Sequence, residues 1–86
     1  MSTADKALAQ GIEMMKSSTP DGNTWPRNED EWGKAVAALE QFGYAMYLKL
    51  GMPEAKARAL AQMTHGGQAG RLLLEIGKQV DRERHG

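Results

Sequence analysis

Cysteine is absent from these 86 residues. That excludes a disulfide framework, a thiolate metal site and a thiol nucleophile, and it fits a reducing compartment. Histidine occurs only as His65 and His85, and no His-x-x-x-His spacing exists, so no metal ligand is nominated. Gly66-Gly67 lacks a downstream Gly-Lys-Ser/Thr and does not fit G-x-G-x-x-G, so no phosphate-cradling loop is read. No spacing suggests a nucleophile beside its base. The chain is therefore read as non-enzymatic, with no catalytic residue, no cofactor and no small-molecule substrate. Long apolar runs are missing too. None approaches the ~18 residues that span a bilayer, and the opening MSTADKALAQ has no apolar core like that of a secretory signal. The expectation is a soluble, cytoplasmic protein with no membrane partner.

What is present suits one small globular domain over residues 1–86: 41% hydrophobic and 26% charged residues. A chain of this size buries only about 60–65% of its unfolded surface, so packing against a second copy would help it. Net charge is zero, but it is unevenly placed. Residues 1–43 carry seven acids and four bases, and residues 44–86 carry four acids and seven bases. The basic second half suits an acidic partner, nucleic acid included. Attraction between the halves within one fold is the other account of it, and the simpler one.

Helical signals recur along the chain, giving an all-α bundle of about four helices. Ser2 or Thr3 caps a first helix, and Ala4, Leu8, Ile12 and Met15 recur at its spacing. Residues 17–27 read as an internal loop, with a turn at Pro20-Asp21-Gly22 and a break at Pro26. Trp25 in that loop reads as a lid on the core or as a binding hot spot.

The strongest element is Asn28–Leu50. Asn28 with Glu31 matches a capping box, and Glu29, Asp30 and Glu31 suit the positive end of the helix dipole. Trp32, Val36, Leu39, Phe42, Met46 and Leu50 line one face, with Tyr47 at its edge. Gly43 in that stripe implies close approach of another backbone. Gly51 ends the helix and Pro53 opens the next, whose apolar face is Ala55, Ala59, Leu60 and Met63. His65 reads as a helix terminator, where a cation is favourable.

Residues 68–77 carry two readings. Ala69, Leu72, Leu73, Ile76 and Val80 form a helical stripe, while Leu72, Leu74 and Ile76 alternate as a short strand would. On the helical reading Leu74 points away from the core and suits a dimer seam. Residues 82–86 read as a frayed tail.

The segment Leu60–Lys78 resembles the helix-turn-helix of phage Cro and repressor-like proteins, in Leu60-Ala61, Gln68, Leu74, Glu75, Gly77 and Lys78. That resemblance implies a second helix in the major groove, with Gln68 and Arg71 facing bases and Lys78 nearer phosphate. Lys56 and Arg58 extend the same basic half as nominated DNA contacts. Residues Leu39–Gln68 resemble the dimerisation domain of Mor-type phage transcription activators, through Leu50-Gly51, Pro53 and Gly66-Gly67-Gln68. There an aromatic-Ile-Pro strand follows; here Ala69-Gly70-Arg71 follows. The implication is a dimerising module without the DNA-binding half.

Two functions follow as expectations. One is a small regulator of mobile-element type that dimerises and binds DNA through its basic half. The other is a protein–protein inhibitor or adaptor, phage-like in type, that blocks one nucleic-acid-binding partner. Trp25, Leu74 and Tyr47 are its nominated interface.

Overall fold

A computed structural model describes residues 2–19 and 25–85, the last of these by its backbone alone. The turn expected at Pro20-Asp21-Gly22 lies outside the described residues, as does Gly86. Among the described residues there are four helices and no strand: α1 (Thr3–Ser18), α2 (Glu29–Lys49), α3 (Glu54–His65) and α4 (Gly67–His85). Residues 68–77 lie inside α4, so the helical reading holds there.

Local chemistry sets the helix ends. Ser2 Oγ accepts from the Asp5 amide at 3.1 Å and opens α1. Asn28 Oδ1 accepts from the Glu31 amide at 2.9 Å and opens α2. The reciprocal bond of the box reaches one residue further back than expected: Glu31 Oε1 accepts from the Arg27 amide at 3.0 Å. Glu31 is consequently a buried carboxylate, satisfied by that amide and by the Arg27 guanidinium at 3.3 Å. At the far end Gly51 takes a φ of 93°. The Gly51 amide bonds the Leu48 carbonyl and the Met52 amide bonds the Tyr47 carbonyl. These two bonds make a Schellman cap, which glycine at that position permits without Cβ strain.

α1 and α2 pack antiparallel. Asp5 faces Lys49 at 3.6 Å, Gln10 faces Gln41 at 2.8 Å, and the Phe42 ring lies on Gly11. Small residues form the contact: Ala7 and Gly11 on α1, Ala35, Ala38 and Ala45 on α2. α3 crosses α2 through Ala57 and Ala61, beside Tyr44. α4 then runs back along α2, with Gly70 against Val36 and the His65 carbonyl, and Arg71 reaching Glu29.

This small-residue packing overturns the expected core faces. Leu8 and Ile12 of the first stripe are exposed. In the second stripe Trp32, Val36, Leu39 and Phe42 are half-buried, while Met46 and Leu50 are exposed. On α3 the expected Ala55, Ala59 and Met63 are exposed. On α4 the expectation inverts: Leu74 is buried, 9% exposed, and Leu72, Leu73, Ile76 and Val80 lie outside. Interaxial distance depends on the side chains at the crossing. Alanine and glycine allow the closest approach and take the centre, which moves the larger residues to the flanks.

Three further expectations change. α1 runs on through Ser17 and Ser18, so the loop starts later than residue 17. Ser18 is wholly buried and its hydroxyl donates to the Met15 carbonyl at 2.7 Å, closing the last turn. Residues 82–85 continue α4 rather than fray. The close neighbour of Gly43 is the His65 imidazole, not a backbone: a Cβ on Gly43 would fall 2.7 Å from that ring.

Candidate docking surface

Each nominated residue has a definite place. Arg71 donates two parallel bonds to Glu29, Nη1 to Oε2 at 2.9 Å and Nη2 to Oε1 at 2.8 Å. Its Nε lies 3.5 Å from Glu75, and its guanidinium carbon sits 4.9 Å from the centre of the Trp32 ring. The bond to Glu29 raises the Arg71 pKa, and the bond and charge of Arg71 hold the Glu29 carboxyl below its ordinary value. Bidentate pairs of this kind fix geometry as well as charge. Gln68 is exposed and shares with Arg71 and Trp32 a cleft of about 380 Å³.

Arg58 stacks over Tyr44, 3.8 Å from the ring centre, and donates to Gln41 Oε1 at 2.9 Å. Gln41 in turn donates to Gln10 Oε1 at 2.8 Å, so one polar relay ties α3 to α2 to α1. Lys56 is exposed on α3, and Lys78 is half-buried two turns beyond Arg71. Gln68 and Arg71 are therefore brought together, whereas Arg58 is turned toward α2. A single residue, Gly66, separates α3 from α4, where a helix-turn-helix uses a turn of about three or four residues.

The three nominated interface residues are used inside the fold. The Trp25 indole lies on Gly77, where a Cβ would fall 2.9 Å from Cη2. Its Nε1 donates to Asp81 Oδ2 at 3.0 Å. Trp25 thus straps the α1–α2 connection to α4, rather than lying as a lid on the alanine core. Tyr47 is half-buried, with its hydroxyl 3.0 Å from Thr64 Oγ1 and its ring edge-on to His65 at 5.8 Å. Leu74 is buried on the inner face of α4, not turned away from the core as the helical reading expected.

The face opposite Leu74 is the one left open. Leu72, Leu73, Ile76 and Val80 form a continuous stripe along α4, and each is close to half-exposed. The inner face holds on through Gly70, Leu74 and Gly77, spaced by four and three residues, with two of the three lacking side chains. A second apolar surface lies on the α1/α2 layer. Leu8, Phe42, Ala45, Met46 and Leu50 line a cleft of about 370 Å³ with Lys49 at its rim, and Leu50 is 70% exposed. A neighbouring cleft of about 320 Å³ continues it through Phe42 to Ile12 and Met15.

Other concavities are less telling. A cleft of about 520 Å³ has Glu13, Glu29 and Asp30 on its rim. Each of those acids is already paired, with Lys16, Arg71 and Lys34 respectively. Among the described residues no group of three or more His, Asp or Glu is placed to hold a metal ion. Among them, too, no helix is long and apolar enough to cross a membrane.

The sequence shows the outer stripe as apolar and helical, and its expected place is the core. The signal that could have corrected this is the Gly70–Leu74–Gly77 spacing, a small-residue line on the opposite side of the same helix. Compared with known proteins, the chain matches no family model, no curated protein and no solved structure.

Proposed function

We propose that this chain is a non-catalytic helical module that works by docking a protein on the outer face of α4. The observation that carries the reading is the stripe itself: Leu72, Leu73, Ile76 and Val80 turned outward on a helix whose inner face is mostly glycine. Contiguous apolar patches of this kind mark interaction sites on soluble domains. The role that follows is that of an adaptor or inhibitor in the cytoplasm. The arginines nominated for DNA contact support the same direction. Arg71 is held by Glu29 and Arg58 by Gln41 and Tyr44, so base or phosphate contacts would first have to displace internal partners.

Site-specific photo-crosslinking in cells tests it. A crosslinker at position 76 should capture protein, and one at position 34, on exposed Lys34 of α2, should not. A crosslinker at position 68 should capture no nucleic acid, and binding to DNA should show no salt-dependent component. Nucleic acid captured at 68 with nothing captured at 76 would overturn the reading in favour of a DNA-binding regulator.

A further inference from the structure

The identity of the partner that covers the stripe rests on the docking role just proposed. A single chain buries few large apolar side chains. Among the described residues the buried apolar side chains are Ala7, Ala35, Ala38, Ala45, Ala57 and Ala61, with Pro26, Tyr44 and Leu74 of larger size. Among the same described residues nine larger apolar side chains stand exposed, Leu50 and Met63 most of all. Chains that bury so little of their large apolar residues resemble a domain core cut in half, as permanent interfaces do. A partner that completes a core has to be present whenever the chain folds. A second copy always is.

We infer that two copies close on each other reciprocally. The α4 stripe of each copy seats in the Leu8–Phe42–Met46–Leu50 cleft of the other. Area decides between this arrangement and the simpler pairing of α4 with α4. The four stripe residues at their observed exposures offer roughly 350 Å² per copy, against the roughly 800 Å² per partner of a stable interface. Stripe against stripe alone covers roughly 700 Å² of apolar side-chain area in total, half of what the reciprocal arrangement covers. The cleft side offers a similar area through Leu8, Ile12, Met46 and Leu50. Using both surfaces on both copies gives roughly 1,400 Å² in total, within the range of specific dimers.

Volume agrees with area. The cleft of about 370 Å³ would take about two aliphatic side-chain ends, taking ~150 Å³ for the space left by one deleted leucine end. Ile76 and Leu73, adjacent on the stripe, are the natural pair. The interface is isologous, so it closes at two copies and leaves no stripe free to propagate.

The absence of cysteine makes the test clean. Single-cysteine variants Leu73→Cys and Met46→Cys are prepared as full chains, alone and mixed, and treated with a short bifunctional thiol crosslinker. The wild-type chain is sized in parallel by sedimentation. The expected result is a wild-type mass twice the 9.4 kDa of one chain, strong crosslinking in the mixture, and little in either variant alone. Efficient crosslinking of Leu73→Cys with itself would overturn the reciprocal arrangement in favour of α4 against α4. A single-chain mass for wild type, with no crosslink in the mixture, would overturn the second copy as occupant. In that event a different protein captured at position 76 would leave the docking role standing. Capture of nothing there would remove both.

Discussion

Trp25 and Asp81 meet across 56 positions of sequence, indole Nε1 to carboxylate Oδ2 at 3.0 Å. The same ring covers Gly77. This is the contact by which the connection between α1 and α2 reaches the second half of α4. It orients α4 about its own axis, and the axis orientation decides which of its apolar residues are inside.

Trp25→Phe keeps a ring over Gly77 and removes the donor. A hydrogen bond to a charged group contributes about 1.5–3 kcal/mol, less where it is half-exposed, so a loss of about 1 kcal/mol is expected. The check is urea unfolding. Amide exchange should rise in residues 77–85 and stay unchanged in α1. Equal acceleration throughout would mean that Trp25 does not act on α4.

Leu74→Ala should destabilise by about 2–3 kcal/mol, as a buried leucine does when truncated. Urea midpoints at fixed protein concentration measure it. A loss below about 0.5 kcal/mol, the scale of an exposed position, would mean that Leu74 is not the residue anchoring α4.

Gly43→Ala places a Cβ 2.7 Å from the His65 ring. The substitution gains about 1 kcal/mol in helix propensity and loses about 1–3 kcal/mol to overpacking. A net destabilisation is expected, because His65 is also tied to Thr64 Oγ1 at 2.6 Å and cannot move alone. Thermal melts check the sign. A more stable Gly43→Ala protein would show that His65 moves freely off α2.

The Glu29–Arg71 pair has a pH signature. Hydrogen bonding and charge from Arg71 hold the folded Glu29 pKa below its ordinary 4.5. A depressed carboxylate contributes stability that is present above the unfolded pKa and is lost as pH falls through the folded one. Stability should therefore decline on acidification below about 4.5, and Glu29→Gln should flatten part of that decline. Asp5, lowered chiefly by its bond from Ser2, adds a further part over its own acidic range. Melting curves against pH for both proteins measure the difference. Superimposable acid limbs would contradict the pairing.

The helices were legible in the sequence and their faces were not. Ser2, Asn28 with Glu31, Gly51 and Pro53 each act locally through a hydrogen bond or a fixed φ, and each marks a helix end where expected. Faces depend on what lies across the gap. Reading Leu8, Ile12, Met46 and Leu72 as inward follows from transfer free energy alone. It leaves out the close approach that Ala7, Gly11, Ala38, Ala61 and Gly70 permit. Arg71 illustrates the same limit for the site. Its guanidinium suits a guanine edge or a carboxylate equally, and only the fold brings Glu29 within 2.8 Å.

Side-chain footprinting by carbene insertion, over a dilution series, tests most directly which side of α4 faces out. Labelling should be low at Leu74 at every concentration, and at Leu72, Leu73 and Ile76 it should rise on dilution as paired copies separate. Heavy labelling of Leu74 with protection of Leu73 and Ile76 at every dilution would mean that the stripe is core, and no docking face would remain.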